Sequence, residues 1–231
     1  MFNVGQMFNV RRITSDPTEK YTLTPILTLL LLSVCSLGLA NEPGHTVMVY
    51  GDSLSAAYGI EQNAGWVNLL EQKLEAEKLP FRVVNGSVSG ETTTGGLARL
   101  PAMLEAYRPD ILLLALGGND GLRGLPLESI RENLLAMIDL ARNAGIEVVL
   151  AGIQIPPNYG PRYAEPFYQQ YQEIALETGV PLIPFLIDGI PQQPQLMQDD
   201  GIHPRAEAQF MILDNVWPVL QPQLEKQIAT H

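Results

Sequence analysis

Along the chain, short unbroken apolar runs alternate with longer stretches in which apolar residues recur every three or four positions. The runs Thr46–Tyr50, Phe81–Val84, Ile111–Leu116, Glu147–Ala151 and Pro181–Leu186 are too short for helices and predict five strands. Between and after them, five stripes fall on single helical faces. These are Trp66, Leu69, Leu70 and Leu74, then Leu97, Leu100, Leu104 and Tyr107, then Ile130, Leu134, Ile138 and Ala141. Phe167, Tyr171 and Ile174 form the fourth, and Phe210, Leu213, Trp217 and Leu220 the last. Pro101 lies inside the second stripe and is expected to kink that helix. Strand and helix alternating at this spacing predict a parallel sheet covered on both faces. Ile111–Leu116, apolar throughout, reads as a central strand. In such sheets ligands bind beyond the carboxyl ends of the strands. Residues that carry chemistry are therefore sought in the loops just after strands.

The first forty residues break the alternation. Arg11, Arg12 and Lys20 precede an apolar run from Ile26 to Leu39, and Gly38-Leu39-Ala40 sets small residues before Asn41. That is the pattern of a secretory leader cut after Ala40, so residues 1–40 are expected to be a signal peptide and 41–231 a single hydrolase domain. Asp16 and Glu19 make the basic stretch long and mixed, which leaves a start downstream of Met1 open. The alternative of an uncleaved anchor is weakened by the short run and by Pro25 at its head. Val34 stands where a lipoprotein box needs a small residue. Cys35, the single cysteine of the chain, would leave with the leader, so no disulfide and no thiolate chemistry is expected in the mature protein. The 231 residues carry a net charge of −11. An acidic surface repels phosphate backbones, so no nucleic-acid partner is expected.

Four segments at strand ends hold the unusual residues. They are Gly51-Asp52-Ser53-Leu54-Ser55, Asn85–Gly90, Gly117-Gly118-Asn119-Asp120-Gly121 and Asp200-Gly201-Ile202-His203-Pro204. The chain has three histidines, His45, His203 and His231. His45 near the expected new N-terminus and His231 at the end are both expected to be mobile and solvated, which leaves His203 as the candidate base. A serine hydroxyl is a weak nucleophile until a neighbouring base takes its proton, and imidazole suits that task. A carboxylate then orients the ring and stabilises the imidazolium. Asp200 is three residues away, and Asp199 remains a competing orienter. Backbone N–H groups of Ser53 and Gly90 and the Asn119 side chain are candidate oxyanion donors. The pattern G-x-S-x-G is absent, with Ser55 where its second glycine would stand. Ser53 alone could simply cap a helix, and Ser87 and Ser89 read as turn serines.

With these residues placed, the chain resembles the SGNH (GDSL) hydrolases. The four blocks fall at Gly51–Ser55, the stretch ending at Gly90, Gly117–Asp120 and Asp200–His203. Gly96–Ala102, Leu116–Gly124, Pro157–Gly160 and Met197–Pro204 extend the likeness to the family's bacterial periplasmic thioesterases, lysophospholipases and arylesterases. The resemblance implies a three-layer α/β/α sandwich of flavodoxin-like type with a five-stranded parallel sheet. It implies Ser53 as nucleophile, Asp200 and His203 as its triad partners, and Ser53, Gly90 and Asn119 as the oxyanion hole. It implies acyl esters, thioesters and lysophospholipids as substrates, cleaved through an acyl-enzyme.

Ile155, Pro156, Pro157 and Tyr159 follow the fourth strand as a stiff apolar loop and are candidates to line an acyl groove. No cofactor or metal is expected, nor a stable membrane anchor after cleavage, and a periplasmic or secreted monomer is. Export would keep the enzyme from cytoplasmic acyl-CoA, which makes thioester cleavage a capability and lysophospholipids or small esters the natural substrates. Three other readings compete. An acyltransferase would use the same triad, and a lipid-binding protein would have kept only the fold. A metal-dependent phosphoesterase would need several histidines, and only His203 is available.

Overall fold

The computed structural model describes residues 44–230. The expected leader, its cleavage site and His231 lie outside the described residues. The elements run β1 (His45–Gly51), α1 (Trp66–Ala76), β2 (Phe81–Asn85), α2 (Thr93–Tyr107), β3 (Ile111–Ala115) and α3 (Gly118–Leu122). They continue with α4 (Leu127–Asn143), β4 (Glu147–Ala151), α5 (Pro161–Thr178), β5 (Leu182–Ile183) and α6 (Gln209–Ala229). All five strands pair in parallel in the order β2-β1-β3-β4-β5.

Successive residues of a strand point to opposite faces, and both faces here are covered. Val47, Val49, Ile111 and Leu113 face Trp66, Leu70 and Leu74 of α1 and Ile212, Val216 and Leu220 of α6. Met48, Tyr50, Leu112 and Leu114 face Leu100 of α2, Leu134 and Ile138 of α4, and Phe167 and Tyr171 of α5. The result is the three-layer arrangement expected from the resemblance. The strand order reverses between β1 and β3, so the connections leaving their carboxyl ends run to opposite faces of the sheet and leave a crevice there.

Three expectations need correction. The last strand stops at Ile183, because Pro184 has no N–H to continue the ladder. On α6 the buried face is Gln209, Ile212, Val216, Leu220 and Leu224; of the expected stripe Leu220 is buried, Leu213 and Trp217 are partly buried against the same cluster, and Phe210 is exposed. His45 is neither mobile nor solvated. It opens β1 with 9 % of its surface exposed, its ring packed on Phe81 and its Nδ1 3.3 Å from the Asp110 carboxylate. Among the described residues no helix is long and apolar enough to cross a membrane.

Candidate active site

All four blocks meet at the β1/β3 crevice. The chain leaves β1 at Gly51 and turns at once, with the N–H groups of Ser55 and Ala56 donating to the Asp52 carbonyl. Asp52 Oδ1 accepts from the Leu54 N–H at 3.1 Å. The capping task that Ser53 could have taken thus falls to Asp52. The Ser53 hydroxyl is left to donate to His203 Nε2, 2.8 Å away.

His203 lies in a loop closed by an antiparallel bridge between Met197 and Pro204. Its Nδ1 lies 2.6 Å from Asp200 Oδ2. A carboxylate can only accept, so Nδ1 carries the proton and Nε2 is free to receive one from serine. Asp200 Oδ1 accepts the N–H groups of Ile202 at 2.9 Å and His203 at 3.0 Å. Partial burial raises the Asp200 carboxyl, but hydrogen bonds from the His203 ring and these two N–H groups outweigh it and hold it at about 2. Asp199 is not the orienter, since it pairs with Arg205 at 2.6 Å.

Gly90 and Asn119, the other expected oxyanion donors, line the same crevice as Ser53. Gly90 follows β2 with φ +81°, a left-handed conformation open to glycine without strain. Asn119, in α3, donates from Nδ2 to the Glu91 carbonyl at 3.0 Å and to Asp52 Oδ2 at 3.3 Å. These two acceptors dictate which end of the amide is NH2. Asp52 is 2 % exposed. Its burial pushes the carboxyl up to about 6, against the Leu54 N–H, the charge of His203 and the Asn119 amide, which pull it down.

The loop carrying Gly90 is gripped from several sides. Buried Asp120 accepts from the Thr93 N–H at 2.9 Å and the Thr93 hydroxyl at 2.6 Å. Arg123 donates to the Gly90 carbonyl at 3.1 Å. Arg99 donates to Glu91 Oε2 and to the Gly86 carbonyl while stacking on Tyr50. Ser87 accepts the Gly51 N–H at 3.1 Å, so it ties this loop to β1 rather than acting as a free turn serine.

A cleft of about 660 Å³ opens from Ser53, Gly90, Asn119 and His203. Ile155, Pro156 and Pro157 line it, together with Leu122, Phe185 and Ile187. Tyr159 is the expected groove residue that does not join this wall. Its hydroxyl instead donates to the Leu122 carbonyl at 2.8 Å and so braces a residue that does. Asp52, Tyr58, Asp120 and Gln198 are site residues that the sequence reading passed over, although all but Tyr58 lie inside motifs it had singled out. Among the described residues, no three His, Cys, Asp or Glu side chains gather as metal ligands.

A parallel α/β/α sheet with an imidazole and a serine hydroxyl joined at its switch point defines a serine ester hydrolase. The chain belongs to the GDSL-like Lipase/Acylhydrolase family, whose model matches residues 49–209. It is 48% identical over 198 residues to Esterase TesA of Pseudomonas aeruginosa, covering 84% of this chain and 98% of that one. It is 41% identical over 198 residues to Thioesterase 1/protease 1/lysophospholipase L1 of Escherichia coli K12, covering 86% of this chain and 91% of the relative. The crystal structure of the psychrotrophic esterase EstA from Pseudoalteromonas sp., inhibited by monoethylphosphonate, matches with a TM-score of 0.75. It is 41% identical and covers 78% of this chain and 99% of that one.

Proposed function

We propose that this serine ester hydrolase works through an acyl-enzyme on Ser53. His203 takes the Ser53 proton as the hydroxyl attacks the acyl carbonyl, and Asp200 stabilises the imidazolium that forms. The carbonyl oxygen, now an oxyanion, accepts hydrogen bonds from the N–H groups of Ser53 and Gly90 and from Asn119 Nδ2. His203 returns the proton to the leaving alcohol or thiol. A water, deprotonated by the same imidazole, then frees the acid. The observation that carries this reading is the 2.8 Å contact between Ser53 Oγ and His203 Nε2, across 150 residues of sequence.

The acyl chain lies in the cleft beside Ile155, Pro156 and Pro157. Its apolar wall suits acyl esters, aryl esters, thioesters and lysophospholipids, and the relative named thioesterase and lysophospholipase supports that range. The leader pattern of residues 1–40 supports export to the periplasm or beyond. In that compartment lysophospholipids and small esters are the natural substrates and acyl-CoA is met only in vitro.

Labelling with a fluorophosphonate, followed by peptide mass mapping, tests the assignment. One adduct on Ser53 is expected, together with hydrolysis of aryl ester, lysophosphatidylcholine and acyl-CoA that a chelator leaves intact. An adduct elsewhere, or activity abolished by the chelator, refutes it. A mature N-terminus at Asn41 in the periplasmic fraction would support the export reading.

A further inference from the structure

The loop that follows Ser53 turns back over the imidazole. The Tyr58 ring lies 4.4 Å, centroid to centroid, from the His203 ring and is tilted by 39°. Tyr58 is 50 % exposed, so core packing does not account for its position. The turn that delivers it is strained. Ala57 has φ +56°, a left-handed conformation uncommon for a residue with a Cβ. Gly59 follows at φ +72°, and a Cβ there would fall 2.3 Å from Gln198 Oε1. The chain is bent so that Gln198 can close against it.

Gln198 joins this turn to the histidine loop. Its Nε2 donates to the Tyr58 carbonyl at 2.8 Å and to the Pro204 carbonyl at 3.2 Å. Its backbone N–H donates to the His203 carbonyl at 2.7 Å. Gln198 therefore ties the Tyr58 turn to the histidine loop twice, its side chain bridging Tyr58 and Pro204 and its backbone N–H holding the His203 carbonyl.

We infer that Tyr58 and Gln198 form a clasp that positions the His203 imidazole over the Ser53 hydroxyl, and that both are positioning residues for acyl transfer. The inference rests on the roles given above to Ser53 and His203. His203 belongs to no helix or strand, so its ring is held only by what touches it. Asp200 fixes the ring at Nδ1, and the Tyr58 face limits rotation about that point. Small departures from attack geometry cost much rate. The same π face also attracts the ring once it becomes cationic in the transition state. Both effects act on the reacting group, so loss of the clasp lowers kcat and leaves KM near its original value.

The test uses the whole chain with Tyr58→Leu, Gln198→Leu, the double variant, and Tyr58→Phe as the conservative replacement. Tyr58 also lines the cleft mouth, so the probes are small: p-nitrophenyl acetate and a short-chain fluorophosphonate. Tyr58→Leu is expected to lower kcat and Ser53 phosphonylation together, by about 3- to 30-fold, at near-constant KM. Tyr58→Phe keeps the ring face and is expected to recover most of that rate. The double variant is expected to lose less than the product of the single losses, because both residues act through one imidazole. Thermal unfolding of each variant separates these effects from loss of fold. Unchanged phosphonylation in Tyr58→Leu, an effect confined to KM, or fully independent losses would overturn the clasp. If the wild-type chain takes no phosphonate at Ser53, the nucleophile assignment itself fails and the clasp falls with it.

Discussion

Replacing Asp52 with asparagine separates what this carboxylate does for the reaction from what it costs the fold. Asp52 is buried, and its carboxyl is lifted from the ordinary 3.8 to about 6. The folded protein therefore holds a proton at this site that the unfolded chain has already released. The stability linked to that proton is fully present below about pH 4 and is lost as pH rises through about 6. A lift of this size corresponds to about 3 kcal/mol in full, of which about 2–3 kcal/mol develops between pH 4 and pH 7.5. Asparagine has no such titration. The stability of Asp52→Asn relative to wild type should therefore increase by about 2–3 kcal/mol between those two pH values. Urea unfolding followed by circular dichroism at pH 4 and pH 7.5 measures it. The same substitution removes an acceptor-only group that tells Asn119 which end of its amide to present. Loss of one oxyanion donor costs about 10²–10³ in kcat, so a fall of up to about 10²-fold at unchanged KM is expected. From pH 4 to pH 7.5 the variant thus gains stability relative to wild type while turning over more slowly. A stability gap that stays constant from pH 4 to pH 7.5 refutes the buried-carboxylate argument, and an unchanged kcat refutes the dependence of Asn119 on Asp52.

Further predictions follow from the same geometry. Ser53→Ala and His203→Ala should each lower kcat by at least about 10³-fold while leaving the thermal midpoint nearly unchanged, as steady-state kinetics and calorimetry would show. Asn119→Ala should lower kcat about 10²–10³-fold with little change in KM; a KM effect alone would remove it from the oxyanion hole. The Asp200 carboxyl is held at about 2, so its stabilising contacts with His203 persist above about pH 4 and are lost only as pH falls through about 2. Acid unfolding of Asp200→Asn against wild type reads this, with the two curves separating above about pH 4 and converging near pH 2. Leu113 is fully buried in the central strand, and Leu113→Ala should cost about 2–5 kcal/mol in denaturant unfolding.

The pattern along the chain was enough to specify the layers and the edge at which chemistry gathers. Strand β3 needed no tertiary information, because five residues with no polar side chain can only be buried on both faces. The four blocks at strand ends followed from the same logic, and His203 stood out by the scarcity of histidines and its place near Asp200, although His45 was set aside for a reason that fails. Phase was less secure. On α6 the sequence offers Phe210, Leu213, Trp217 and Leu220 as one stripe, yet of these only Leu220 is fully buried, beside Ile212 and Val216. Pro218 and Pro222 and the surplus of apolar residues leave more than one face of that helix able to pack.

What the residues by themselves determined is which groups could react and at which rim they would stand. Only the three-dimensional arrangement decided how each of them is held. It decided that Asp52, not Ser53, caps the turn, that Asp200 serves His203 while Asp199 goes to Arg205, and that His45 belongs to the core. It also brought Tyr58 and Gln198, 140 residues apart, into contact around the imidazole. The physical reason is range. Apolar periodicity and turn chemistry act over a few residues and can be read locally, whereas a hydrogen bond or ring contact between distant loops depends on where packing has carried both ends.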